Sequence, residues 1–126
     1  MKKILIVDDE ADLCFLLKKN LEEVGDFVVS TCSESSKAIE QARAFRPDLI
    51  LLDVLMPGIS GPELVEQLKV ARETKEIPVV FLTAIATEEE TGERKNVIGG
   101  QYMLAKPVEM EELLQVIQTA THRRAA

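Results

Sequence analysis

The chain has 126 residues, enough for one compact domain and too few for two of ordinary size. An apolar share of 46% and a charged share of 29% match a folded soluble domain and exclude disorder for its body. The net charge of −7 argues against direct binding of nucleic acid or an anionic membrane, because both favour basic surfaces.

Strand-like runs alternate with stretches of helical period. The first run, Lys3–Val7, is cut off at once by Asp8-Asp9-Glu10, too early for the apolar core of a signal peptide. Asp12–Val24 follows with Leu13, Leu17, Leu21 and Val24 on one stripe and Gly25 as its C-cap. Phe27–Thr31 is the second strand. Ser35–Phe45 is the second helix, with Ala38, Ile39 and Ala42 together and Pro47 forbidding continuation. The third strand is Leu49–Leu52, and Gly61–Arg72 is a helix that turns Leu64, Val65 and Leu68 inward.

After the fourth strand, Val79–Leu82, the capping box Thr87-Glu88-Glu89-Glu90 opens a helix that Gly92 weakens. Tyr102–Leu104 is the fifth strand. Glu109–Thr121 is the fifth helix, built on Leu113, Leu114, Val116 and Ile117, and residues 122–126 form a frayed end carrying the lone His122. No apolar run approaches the ~20 residues that cross a bilayer. Cys14 and Cys32 fit neither a zinc cluster nor a disulfide framework, so both are expected as reduced core thiols of a cytoplasmic protein.

Five strand–helix units in succession predict an α/β domain over residues 1–126. Its parallel sheet is doubly wound, with helices on both faces. The continuous rather than alternating apolar runs agree, since both faces of such a sheet are covered. Ligands then bind beyond the carboxyl ends of the strands. Those ends carry Asp8, Asp9 and Glu10, then Asp53, then Thr83, with Lys106 shortly after the fifth strand.

Carboxylates so gathered repel, by about 4 kcal/mol for a pair at ~4 Å and an effective dielectric of 20. Either a retained proton or a divalent cation relieves this, and an oxygen-rich site of carboxylates, a carbonyl and water suits Mg²⁺. Thr83 and Lys106 add a hydroxyl and an ammonium, the groups that neutralise a transferring phosphoryl. Each residue alone has a structural explanation as a cap or a loop residue. Their joint appearance at four strand ends favours a site.

The segments Ile4-Leu5-Ile6-Val7-Asp8-Asp9-Glu10, Pro47-Asp48-Leu49-Ile50-Leu51-Leu52-Asp53, Met56-Pro57-Gly58-Ile59-Ser60-Gly61, Pro78-Val79-Val80-Phe81-Leu82-Thr83-Ala84 and Lys106-Pro107 together resemble the receiver domain of two-component response regulators, over about Lys3 to Thr121. The resemblance implies a flavodoxin-like fold with five parallel strands in the order 2-1-3-4-5 and five helices. It implies Asp53 as the phosphoacceptor, taking phosphate from a histidine kinase phosphohistidine or a phosphotransfer protein. Asp9, Asp8 (through water), Asp53 and the Leu55 backbone carbonyl would hold Mg²⁺. Thr83 resembles the switch hydroxyl, Lys106 its salt-bridge partner, and Lys106–Pro107 a bond commonly cis, since X-Pro alone makes that form cheap.

Such a chain is a signalling phosphoacceptor and not an enzyme. Its partners are an output domain or protein, or a homodimer through the fourth helix, fifth strand and fifth helix. Receivers usually carry Tyr or Phe three residues before the lysine. Met103 stands there instead, and pleat alternation keeps Tyr102 from substituting, so Tyr102 is expected at or near solvent. Two alternatives are an aspartate-nucleophile phosphatase, which lacks its second acid at Leu55, and a phosphorylation-independent binding module, against which the complete residue set argues.

Overall fold

The computed structural model describes residues 1–83, 97–98 and 101–125. In chain order the elements are β1 (Lys2–Val7), α1 (Ala11–Val24), β2 (Phe27–Cys32), a 3₁₀ turn (Ser35–Lys37) leading into α2 (Ala38–Phe45), β3 (Leu49–Asp53), α3 (Gly61–Val70), β4 (Val79–Thr83), β5 (Val97–Ile98), β6 (Gln101–Ala105) and α4 (Met110–Ala125). The sheet order is β2-β1-β3-β4-β6-β5. Its five longer strands are parallel in the expected order, and two-residue β5 adds an antiparallel edge against β6. Four α-helices are present among the described residues; the helix expected from Thr87 lies outside them.

Alternate residues of each buried strand go to opposite faces, which is why the sequence runs are continuously apolar. Ile4, Ile6, Leu49, Leu51, Val80, Leu82 and Leu104 meet Leu17 and Leu21 of α1 and Leu113, Val116 and Ile117 of α4. Leu5, Val7, Ile50, Leu52, Val79 and Phe81 meet Ala38 and Ala42 of α2 and Leu64, Val65 and Leu68 of α3. Both cysteines are buried and free, as expected. Val24, assigned to the inner stripe of α1, is instead exposed, because it sits in the last turn as the helix leaves the sheet.

The helix ends follow local chemistry. Gly25 takes the left-handed conformation (φ 103°) and donates its N–H to Glu22 O, closing α1. Arg46 does the same for α2 (φ 52°), just ahead of Pro47. At the start of α3, the Ser60 hydroxyl accepts from Glu63 N while the Glu63 carboxylate accepts from Ser60 N. α3 stops at Val70, two residues before the expected Arg72, and the buried Thr74 hydroxyl donates to the freed Leu68 carbonyl. The last helix runs from Met110 to Ala125.

One close approach fixes where α3 begins. A Cβ at Gly61 would lie 2.7 Å from the Asp53 carbonyl oxygen, 3.0 Å from Val54 Cα and 3.1 Å from the Phe81 ring. Gly61 N also donates to Val54 O at 3.0 Å, stitching the helix start to the end of β3. Gly61→Ala is therefore expected to cost about 1–3 kcal/mol through overpacking against backbone. Urea unfolding of the two proteins measures it.

Candidate functional site

Register carries the functional side chains to one edge. Val7 pairs with Leu52, Asp53 with Leu82, and Thr83 with Ala105, so the residues that end or follow these strands converge. Asp8 and Asp53 are almost wholly buried there, at 0% and 5% exposure, while Asp9 is open to solvent. One carboxylate oxygen from each of Asp8, Asp9 and Asp53 lies within 4.8 Å of the others.

Asp8 is held on every side. Its N–H donates to Cys32 O, its Oδ1 accepts the Glu10 N–H at 2.9 Å, and its carbonyl accepts the Cys14 thiol at 3.3 Å. Its Oδ2 is fully buried and lies 2.9 Å from Lys106 Nζ as an ion pair. That buried oxygen and its two carboxylate neighbours form a hard-oxygen donor set suited to Mg²⁺. The residues present fit that ion.

Lys106 is the counter-charge. Its side chain is only 13% exposed, and its ammonium stands 2.7 Å from Glu10 Oε1, 2.9 Å from Asp8 Oδ2 and 3.6 Å from Asp53 Oδ1. Burial alone would lower its pKa; the carboxylates of Glu10, Asp8 and Asp53 outweigh burial and hold it above its ordinary value. Lys106 N donates to Thr83 O at 2.9 Å, and the Lys106–Pro107 peptide is cis.

Asp53 is the strained acid. Burial and the Asp8 charge raise its pKa to about 6, a hydrogen bond with Asp9 adds to the rise, and Lys106 and the Leu55 N–H oppose it. Leu55 itself is exposed in the loop after β3. Thr83 is buried at the end of β4.

Met103 pairs with Phe81 and packs against the face of α2 and α3, whereas Tyr102 pairs with Val80 and packs on the other face. The pleat thus separates them as expected. Tyr102 is half-buried, packed against the core between the sheet and helices α1 and α4.

Residues 4–118 match the family model for the response regulator receiver domain. The chain belongs to that family. This receiver is 35% identical over 123 residues to the phosphate regulon transcriptional regulatory protein PhoB of Rhizobium meliloti, covering 98% of the chain and 53% of PhoB. It is also 35% identical over 119 residues to protein PilH of Pseudomonas aeruginosa, covering 93% of the chain and 95% of PilH. The receiver thus spans about half of the phosphate regulator and nearly all of PilH.

Among solved structures, Vibrio cholerae chemotaxis protein CheY4 superposes with a TM-score of 0.80 at 29% identity, covering 95% of this chain and 98% of its own. The receiver domain of a Pseudomonas aeruginosa sensor histidine kinase, solved with magnesium coordinated in its active site cleft, gives 0.79 at 25% identity over 96% and 98%. Two-component signalling is the setting of the fold.

Glu10 was legible only as one more acid after the first strand; its pairing with Lys106 has no local signal. The raised pKa of Asp53 has a stability consequence in metal-free protein. Between about pH 4 and 6 the folded chain holds a proton there that the unfolded chain has released, so this group's contribution to stability is lost as pH rises through about 6. Asp53→Asn is expected to be more stable than the parent by about 2 kcal/mol at pH 8 in EDTA, with the gap closing near pH 4. Urea unfolding across that range checks it; a gap independent of pH would assign it to packing instead.

Proposed function

We propose that residues 1–126 act as one receiver unit of a cytoplasmic two-component pathway, in which Asp53 takes a phosphoryl group from a phosphohistidine of a histidine kinase or phosphotransfer protein. The observation that carries this is the convergence of Asp8, Asp9 and Asp53 oxygens within 4.8 Å, with the Lys106 ammonium 2.9 Å from Asp8 and 3.6 Å from Asp53. An Asp53 carboxylate oxygen forms the new bond to phosphorus as the nitrogen–phosphorus bond of the donor breaks. The electron pair of that bond stays on the departing imidazole, which takes up a proton.

Asp8, Asp9, Asp53 and the Leu55 carbonyl would hold Mg²⁺, as receivers with this acidic set do. Bound there, the ion supplies positive charge that offsets carboxylate repulsion and the charge developing on the phosphoryl oxygens. The Leu55 N–H steadies the Asp53 carboxylate. Lys106 pairs with the phosphoryl group, and Thr83 donates its hydroxyl to it. The chain is a signalling acceptor rather than a turnover enzyme, and its message passes to an output domain, a partner protein or a second copy. The net charge of −7 supports protein partners over nucleic acid.

A small-molecule phosphodonor such as acetyl phosphate is expected to label Asp53 only with added Mg²⁺, and Asp53→Asn to abolish labelling while the domain stays folded. Intact and peptide mass spectrometry reads both. Full labelling of that variant at another residue would reject Asp53 as the acceptor.

The switch is expected to be graded. Thr83 moves because the phosphoryl group and Lys106 attract it, but the unbranched Met103 has several rotamers within about 1 kcal/mol and no hydroxyl to exchange partners. NMR spectra with and without beryllofluoride should show the Met103 methyl shifting, the Tyr102 ring staying in place, and a bias at β6 and α4 on the order of 1–3 kcal/mol. A Tyr102 ring that swings inward past a fixed Met103 would restore the ordinary aromatic switch.

A further inference from the structure

Glu10 lies outside the residues assigned a role above, yet it makes the shortest contact of the Lys106 ammonium, 2.7 Å against 2.9 Å to Asp8 and 3.6 Å to Asp53. Its position explains why it is available. Glu10 occupies the N-cap of α1, where Ser, Thr, Asp or Asn would cap the helix, and its side chain makes no capping bond. Its backbone is fixed all the same: the N–H donates to Asp8 Oδ1 and the carbonyl accepts from Cys14 N. A rigid backbone therefore aims a long carboxylate at Lys106 from the solvent side, with the Glu10 side chain still 60% exposed.

We propose that Glu10 is a positioning residue: it competes for the Lys106 ammonium and holds it back from Asp53 until a phosphoryl group displaces it. This rests on Asp53 being the phosphoacceptor. With Glu10 and Asp8 both within 3 Å of Nζ, Asp53 is left beyond hydrogen-bonding distance. A phosphoryl group on Asp53 carries more charge than a carboxylate and reaches further out, so Lys106 exchanges Glu10 for it. Glu10 returns to water at little cost, being mostly hydrated already. The strength of the Glu10 contact then subtracts from the affinity for anything phosphoryl-like on Asp53.

The test is beryllofluoride binding to the full chain at saturating Mg²⁺, followed by NMR titration, for the parent, Glu10→Gln and Asp12→Asn. Asp12 is exposed in the first turn of the same helix and serves as a control of equal charge change. Glu10→Gln is expected to bind beryllofluoride about three- to tenfold more tightly. It should bind Mg²⁺ alone no more tightly than the parent, while Asp12→Asn leaves beryllofluoride affinity unchanged. Unchanged or weaker beryllofluoride binding by Glu10→Gln overturns the proposal. So does an equal gain in Asp12→Asn, which would make the effect one of net charge, or an equal gain for Mg²⁺ alone, which would route it through the metal. A parent chain that binds no beryllofluoride, or an Asp53→Asn variant that still binds it, removes instead the phosphoacceptor reading beneath.

Discussion

A half-buried ammonium facing buried carboxylates is costly to assemble, and the rest of the fold can be understood as what holds it together. Lys106 follows the last strand, Asp8 follows the first and Asp53 ends the third, and each charge is sustained by the others. The cluster is negative in excess even with Lys106 in place. Asp53 registers that excess as a pKa raised by burial and by Asp8, and the same excess is what a divalent cation would relieve. Resting-state discomfort and chemical readiness are two aspects of one charge arrangement.

Positioning comes from rigid elements. Backbone pairing of β1 with β3 and of β3 with β4 fixes the spacing of the strand ends. Val54 N donates to Leu82 O and Gly61 N to Val54 O, so the loop after Asp53 is tied to β4 and α3 at its first turn. Ser35 Oγ adds a link from the other side, donating to Pro57 O and accepting from Ile59 N. The loop that carries Leu55 is therefore pinned at both ends while Leu55 itself faces solvent.

Much of this was legible in the residues. The strands announced themselves because a parallel sheet buried on both faces needs unbroken apolar runs, and the site residues because they sit where those runs stop. Met103 and Tyr102 could be sent to opposite faces by the pleat alone. Ser60-Gly61-Pro62-Glu63 carries a local capping signal of the same kind as Thr87–Glu90. The Glu10–Lys106 pair, the lean of Tyr102 on the core and the two-residue β5 depend on tertiary packing, and no local pattern reports them.

The thiol of Cys14, donated to the Asp8 carbonyl at 3.3 Å, has a bearing on how the domain meets oxidants. Burial and the Asp8 charge push its pKa up to about 11, and burial pushes Cys32 up as well. At neutral pH almost none of either sulfur is thiolate, the species that peroxides and electrophiles attack. The sulfur hydrogen-bonded to Asp8 is thus held as a thiol, a poor nucleophile, at neutral pH.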